Sequence, residues 1–460
     1  MGAFHRAHQA FYLHRLRLLG AADWRLVGGN IRKDDEELLR HLAASRGRYT
    51  LETISPSGQY AYELIESIER VIPWAPGHPH LIDVGARQDT RIISFTVTEA
   101  GYYLDGERLQ LQHPTVTADI VAAREGRAGN TLYGVLSSIL SARQRLGGGP
   151  VTLLCCDNLR HNGARARYGL RQFLEAADMD DLLEWMDAAV TFPNCMVDRI
   201  TPRPDAALRE RVKSATGADD QAAVGSESFL QWVVEDRFAR GRPDWERVGV
   251  QMVESVTPYE EMKIRILNGS HSCIAWAAAL SGHEFIHDAL HDARVRQLTL
   301  SYIDDVLPCL AVGGRLSISE LQSYRDAVLE RFSNSHLHDR TARVAQDSYR
   351  KYVGFVAPTL WERLSVGADI HGVAALPVLL LRFWQRHHRR QLAFTYQDSN
   401  DAREFSAAIC SAPDPLAALC RERFLFGDIA GEAPLLLALR AAAQRVDALF
   451  GSYFDSLATK

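Results

Sequence analysis

The sequence predicts an α/β domain built on a doubly wound parallel sheet, followed by an all-helical domain from about residue 257. Three observations carry this. Arg91–Thr98 and Val151–Cys156 are unalternating apolar or β-branched runs, and Thr131–Leu146 between them has helical spacing. Strand, helix and unalternating strand form the βαβ pattern of a parallel sheet covered on both faces. Beyond Thr257 the apolar residues fall at helical spacing, as in Ile303, Val306 and Leu307 or Leu435, Leu436 and Leu439, and β-branched runs become scarce. A chain of 460 residues is also long enough for two or three domains.

The elements follow in order. Gly2 leads into a helix expected to run through Leu19. A glycine turn entering a helix suits a pyrophosphate, because free backbone N–H groups point at the anion. A dinucleotide fold places a strand before that glycine, and we expect roughly ten residues upstream of this start, a strand and its turn. Arg25–Gly29 reads as a short buried strand, and Asp34–Ala44 as the next helix. The charges between them leave two options. An acidic group at Asp34 or Asp35 can hold a ribose diol, whereas Arg32 and Lys33 could receive a 2′-phosphate. The helix Thr131–Leu146 stops at Gly147, Gly148, Gly149 and Pro150. Asp205–Gly225 is largely polar and is expected to be a surface excursion.

Composition narrows the function. With 47% hydrophobic and 24% charged residues the chain is an ordinary globular protein. A net charge of -5 argues against nonspecific polyanion binding, so no nucleic-acid partner is expected. Seven scattered cysteines without a CxxC pair fit reduced thiols packed as small apolar groups. No apolar run reaches the roughly 18 residues of a membrane span. The longest, Val373–Trp384, is broken by Pro377 and Arg382. The start lacks a signal-peptide pattern, so a cytoplasmic protein without a membrane partner is expected.

Met262–His271 concentrates the chemistry. On a helix turning about 100° per residue, Lys263 lies at 0°, His271 at about 80° and Asn268 at about 140°, so all three polar heads project from one half of the cylinder. A lysine of lowered pKa can take a proton from an alcohol. An Asn amide can donate to the oxygen that gains negative charge, and a histidine can hold another hydroxyl. This is the set that oxidising an alcohol without a metal would need. Asn268-Gly269 inside a helix runs against local propensity. Glu260 and Glu261 follow Pro258, where carboxylates suit the helix dipole, and either is a candidate to carry the proton outward. Ser272–Leu280 is almost all apolar or small, so the helix is buried and its polar residues need a cavity. Lys263 alone would read as a solvated surface lysine; its neighbours argue otherwise.

Two further patterns compete. His283-Glu284-Phe285-Ile286-His287 obeys HExxH, in which histidines one helical turn apart chelate zinc beside a glutamate base. That would make a metalloprotease. The longer pattern fails, because Leu290 and Ala293 stand where a glycine and a third histidine belong. A helix face is the expected role, and no metal is expected. Arg386–Arg390 is a basic cluster that reads as a solvated helix end.

Several motifs resemble one known family. Phe4–Gln9, Thr96–Tyr102, Cys156–Gly163, Phe192–Pro202 and the Lys263 segment are similar to the polyol-specific long-chain dehydrogenases, the mannitol dehydrogenase family. The motifs are ordered and extend from residue 4 to about residue 360. Gly29–Arg32, Gly47–Thr53 and Leu267–Trp276 look most like the members that act on D-arabinitol, except that those members can carry Ala at the position of Gly269. The resemblance implies a Rossmann-like NAD-binding domain over 1–256 and a helical substrate-binding domain over 257–460. It implies metal-independent, NAD-dependent oxidation of a sugar alcohol to a ketose: D-arabinitol to D-xylulose, or mannitol to fructose as the alternative. Lys263 would be the general base, Asn158 and Asn268 would polarise the substrate oxygen, and His271 would bind a hydroxyl. Asn158 follows a predicted strand end, where α/β sheets place ligands. Gly2, Phe4, His5, Arg32 and Asp35 are expected along the cofactor, with Asp35 as the ribose acid that favours NAD, and Glu99 and Tyr102 nearby. The family's opening strand has no counterpart here, and Gly354, with Lys351 nearby, stands where some relatives carry a polar residue. A monomer or low-order homo-oligomer is expected. A noncatalytic polyol sensor is a third reading; a full set of base, amides and imidazole argues against it, since binding alone needs no base.

Overall fold

The structure, a computed structural model, describes residues 1–21 and 23–455. It forms two compact units: Met1–Ser55 with Gln59–Thr257, and Pro258–Lys460 with the turn Pro56–Gly58.

The first unit runs α1 (Ala3–Ala7), α2 (Gln9–Leu18), β1 (Leu26–Gly28), α3 (Glu36–Ala44), β2 (Tyr49–Ile54), β3 (Tyr60–Ile65), β4 (Ile68–Val71), α4 (Pro79–Ala86), β5 (Ile92–Phe95), β6 (Leu104–Asp105), β7 (Arg108–Leu109), α5 (Pro114–Arg124), α6 (Leu132–Arg145), β8 (Val151–Cys155), α7 (Asn162–Ala176), α8 (Asp180–Ala189), β9 (Val190–Thr191), β10 (Cys195–Asp198), α9 (Ala206–Thr216), β11 (Val224–Glu227), β12 (Gln231–Glu235) and β13 (Gln251–Val253). β5 pairs in parallel with β8, Phe95 opposite Cys155, and α5 and α6 lie between them in sequence. This is the βαβ unit that the two apolar runs predict. β8 continues in parallel to β9, β1 pairs in parallel with β4, and β2 with β11. The hairpin β2–β3 and the pair β10–β12 are antiparallel.

β8 shows why its sequence does not alternate. Val151, Leu153 and Cys155 enter one core with Val116, Leu136, Leu170 and Phe173, while Leu154 and Cys156 enter a second with Tyr12, Leu16, Val197 and Trp232. Both faces are covered, and each buried leucine contributes about 1.5–3 kcal/mol. α6 begins at Thr131, whose hydroxyl accepts the Gly134 N–H at 3.1 Å, and ends before Gly147 at φ 67°. Arg143, fully buried, donates to the carbonyls of Gly85, Arg87, Gly148, Gly149 and Pro150 and so ties the glycine turn to the start of β8. Burial pushes its pKa down to about 10, which leaves it charged at neutral pH.

Two sequence expectations change here. The first helix is not continuous to Leu19: it breaks at His8 (φ -122°, ψ -85°), whose Nε2 lies 3.0 Å from the Gln231 carbonyl. The break lets Phe4 and Tyr12 face the β8–β12 core while Ala7 and Ala10 pack against β2 and β11. The polar stretch from Asp205 is a helix and not an excursion. Asp205 caps α9 by accepting the Leu208 N–H at 2.8 Å, Gly217 closes it at φ 76°, and Leu208 and Val212, one turn apart, form its buried stripe.

The second unit runs α10 (Thr257–Met262), a π-helical segment Lys263–Gly269, α11 (Ser270–Ser281), α12 (Ile286–His291), α13 (Ala293–Ala311), α14 (Ile318–Phe332), α15 (Thr341–Val344), α16 (Ser348–Lys351), a second π-helical segment Tyr352–Val356, α17 (Ala357–Ser365), α18 (Ala375–His388), α19 (Asn400–Ser411), α20 (Pro415–Cys420), α21 (Arg423–Phe426) and α22 (Ala433–Asp455). α11 is its centre, packed by α12, α13, α15, α18 and α22. Every α11 residue except His271 is buried. The alanines at 275, 277, 278 and 279 let neighbouring helices approach, and Trp276 fills the remaining volume with no exposed surface. Arg386, expected at a solvated helix end, is instead 5% exposed and donates to the Ala279 carbonyl at 3.3 Å. No helix among the described residues is long and apolar enough to cross a membrane.

Candidate active site

In the first unit the C-terminal ends of β5 and β8 lie side by side, because the strands are parallel. Asp157 follows β8 and is 7% exposed. Its carboxylate accepts the Val97 N–H at 2.9 Å, the Thr98 N–H at 2.9 Å and the Tyr102 hydroxyl at 2.6 Å. It thereby shapes the loop after β5, where Thr98 holds φ 64° and Glu99 is exposed on the following 3₁₀ turn. Tyr102 is buried beneath this loop. Asn158, the next residue, is exposed at the strand end. Asn162 then stitches β8 to β10: its amide donates to the Asp157 and Cys195 carbonyls at 2.9 and 2.7 Å, and its oxygen accepts the Cys195 N–H at 2.9 Å. Gly163 is required beside it, since a Cβ there would overlap the Pro193 carbonyl.

The other sequence candidates of this unit gather where β1 meets α1. The chain's amino group donates to Asn30 Oδ1, and Asn30 Nδ2 donates to Asp35 at 3.2 Å. Asp35 and Arg32 are exposed. Gly2 precedes α1 without a side-chain cap, and nothing stands within 4 Å of where its Cβ would be. Lys33 lies over the Trp74 ring at 5.6 Å. Phe4 stacks on His8 with ring centroids 4.9 Å apart. His5 is half-buried, with Nδ1 enclosed and unpartnered. Burial, aided by the amino terminus and Arg6, pushes its pKa from 6.5 down to about 3. The folded state therefore binds fewer protons at His5 than the unfolded chain. That stability is present above pH 6.5 and is lost as pH falls toward 3. Denaturant unfolding should show about 2 kcal/mol of this loss by pH 5. His5→Gln should flatten the slope by that amount; an unchanged slope would contradict the assignment.

In the second unit Lys263 is 6% exposed and opens the π-helical segment that closes at Gly269. This corrects the α-helical projection. A π-turn bonds residue i to i+5, so Lys263 and Asn268, five apart, are the two ends of one widened turn and not about 140° apart as on an α-helix. Asn268 is half-buried. Arg265, 7% exposed, is held by Glu261 at 2.8 Å and in bidentate fashion by Glu362 at 2.6 and 2.7 Å. Glu261 is thus committed to Arg265, and Glu260, 4% exposed, is the enclosed carboxylate nearest Lys263 in sequence. His271 stacks on Phe332 at 4.6 Å, and its Nε2 lies 3.0 Å from Asp339. Burial keeps the His271 pKa below its ordinary value, against the pull of Asp339. Burial alone would raise the Asp339 carboxyl, but hydrogen bonds from His271 and Arg343 hold it lower. A neutral imidazole that gives its Nε2–H to a carboxylate keeps Nδ1 as an acceptor. Lys351 donates to the Val344 carbonyl at 2.7 Å, and burial lowers its pKa. Gly354, in the second π-helical segment, has nothing within 4 Å of its Cβ position.

The HExxH reading does not survive. α11 ends at Ser281 and α12 begins at Ile286, so His283 and His287 do not share a helix. His283 faces Asp292 at 3.3 Å and His287 faces Asp288 at 3.3 Å. The Gly282 turn at φ 80° breaks the period that the pattern needs. A surface hollow of about 730 Å³, lined by Gln112, Pro114, Thr117, Arg127 and Asn130, includes none of the candidate residues. Sequence reasoning missed Asp157, Asn162 and Asp339. The first two sit in the Cys156–Gly163 motif, where a charged residue directly after a fully buried strand was the available signal; Asp339 had none.

A Rossmann-like unit joined to an all-helical unit is the architecture of two-domain dehydrogenases. Residues 1–247 match the family description "Mannitol dehydrogenase Rossmann domain", and residues 255–447 match "Mannitol dehydrogenase C-terminal domain". The chain belongs to the mannitol dehydrogenase family and is a dehydrogenase. It is 49% identical over 451 residues to a D-arabinitol 4-dehydrogenase of Ralstonia nicotianae, covering 97% of this chain and 95% of that one. It is 46% identical over 442 residues to a D-arabinitol 4-dehydrogenase of Klebsiella pneumoniae, covering 96% and 95%. Among solved structures, the Pseudomonas fluorescens mannitol 2-dehydrogenase ternary complex with NAD and D-mannitol superposes with a TM-score of 0.79 at 31% identity, covering 100% of this chain and 93% of that one.

Proposed function

We propose that this chain oxidises D-arabinitol to D-xylulose with NAD, in the cytoplasm, using Lys263 as the base. The observation that carries the substrate is the near-full-length similarity to two relatives named D-arabinitol 4-dehydrogenase, at 49% and 46% identity. The residues around β1 and α1 fit a dinucleotide. Space over Gly2 is open, α1 lacks a side-chain cap, and Asp35 is an exposed carboxylate beside Asn30. Gly2 and the first-turn N–H groups would hold the pyrophosphate, with Phe4 and His5 behind them, and Asp35 the ribose diol. Asp35 as the ribose acid favours NAD over NADP, and Lys33, which with Arg32 could receive a 2′-phosphate, lies over the Trp74 ring. Glu99 would sit along the same cofactor. NAD, when bound, supplies the hydride acceptor.

The protein's residues supply the rest. Lys263 in its unprotonated form takes the hydroxyl proton while the carbon gives up its hydride and the C=O bond forms. The Asn268 and Asn158 amides donate to that oxygen as its charge builds. His271, oriented by Asp339, accepts a hydrogen bond from a second hydroxyl through Nδ1. Glu260 passes the proton outward. The seven free cysteines suit a reducing compartment, and a monomer or low-order oligomer suffices for this chemistry.

The test is a panel of pentitols and hexitols with NAD and NADP, with the product identified by chromatography. D-Arabinitol with NAD should give the highest kcat/KM, and D-xylulose should accumulate. A preference for mannitol, or for NADP, overturns the assignment.

A further inference from the structure

The π-helical segment Lys263–Gly269 has a specific cost, and one side chain offsets it. In a π-turn each N–H reaches back five residues, and where the helix returns to α register one carbonyl is skipped. Here the Ser270 N–H already bonds the Ile266 carbonyl, in α register, while the π register assigns the Gly269 N–H to Ile264. The skipped carbonyl is that of Arg265. Tyr302 of α13, with no exposed surface, donates its hydroxyl to this carbonyl at 2.9 Å. The same oxygen lies 3.4 Å from the Phe355 carbonyl in the second π-helical segment, which packs against the first. Gly269 makes room for it, since a Cβ there would overlap the Tyr302 hydroxyl.

We propose that Tyr302 is a positioning residue: its hydroxyl holds the helix in π register and so keeps Lys263 and Asn268 on one widened turn. This rests on Lys263 being the base. Without the bond, the Arg265 carbonyl is buried and unpaired in π register, and the α alternative becomes competitive. In α register Asn268 swings to about 140° from Lys263, and the amide and the amine no longer meet one alcohol. Gly269 belongs to the same device, because a methyl there pushes the hydroxyl off the carbonyl.

Tyr302→Phe keeps the ring and removes the hydroxyl. We expect kcat for the polyol to fall about tenfold, the pH midpoint of kcat to move, and KM for NAD to stay unchanged. Gly269→Ala should reproduce the shifted pH profile, and it replaces the first variant if that one does not fold. In the double variant the methyl occupies the space the hydroxyl leaves, so the two losses should be less than multiplicative. A Tyr302→Phe enzyme with parental kcat and pH profile overturns the proposal. So does a loss of rate that tracks only the folded fraction. Lys263→Ala, assayed alongside, separates the two ideas. An inactive Lys263→Ala with an unaffected Tyr302→Phe removes only the positioning role, whereas an active Lys263→Ala removes the base reading and this proposal with it.

Discussion

Replacing Lys263 with alanine should lower kcat for the polyol by roughly a hundredfold or more and leave NAD affinity essentially unchanged. Lys263 is 6% exposed and begins the π-turn that ends at Asn268, so little water is available to substitute as base. NAD affinity is spared because its proposed contacts lie at Gly2, Asp35 and their neighbours. Lys263→Arg is the informative partner. It restores a cation, but a guanidinium stays protonated and cannot accept the proton, so the rate should not return. A primary amine added to Lys263→Ala should restore part of the turnover, more so at higher pH where more of it is unprotonated. Steady-state kcat across pH for the three proteins, with fold checked by circular dichroism, decides the matter. If alanine keeps both the rate and the pH dependence, Lys263 is not the base.

What could be read from the sequence divides along physical lines. The β5–α6–β8 unit was legible because burial on both faces writes itself as a run without alternation, and the run in β8 ends where the loop with Asp157 and Asn158 begins. That Lys263, Asn268 and His271 share one short polar stretch was legible as composition, but the π-helical geometry of that stretch was not. A π register is set by a hydroxyl from α13 and by the space over Gly269, and neither leaves a periodic signal. The same reasoning explains the misread stretch after Asp205. Its helix buries only Leu208 and Val212, and its charges face water except Arg211, which pairs with the buried Glu52, so composition pointed to a loop. The HExxH pattern misleads in the opposite sense: five residues match a helix motif, and the turn at Gly282 leaves His283 in a loop while His287 lies on α12. Partners that approach from a distant element, such as Asp339 at His271, are set by tertiary packing and have no local trace.

Asp157→Ala should be the most damaging single change in the first unit. The carboxylate serves three donors at once: the Val97 and Thr98 N–H groups and the Tyr102 hydroxyl. Removing it takes the acceptor from the half-buried Val97 N–H and from the Thr98 N–H, and leaves the buried Tyr102 hydroxyl with Cys155 Sγ at 2.7 Å as its other partner. Orphaned donors cost about 1–3 kcal/mol each and are not additive, so a loss of about 3 kcal/mol is expected. Thr98 also sits at φ 64°, a conformation that its bond to Asp157 helps to hold. Its release should loosen the loop that carries Glu99 and weaken NAD binding about tenfold, since ordering the loop must then accompany binding. Asp157→Asn keeps one acceptor oxygen and should fall between alanine and the parent in both stability and affinity. Denaturant unfolding and NAD titration of the three proteins test this ordering. An alanine variant as stable as the parent would mean that the loop after β5 holds its shape without the carboxylate.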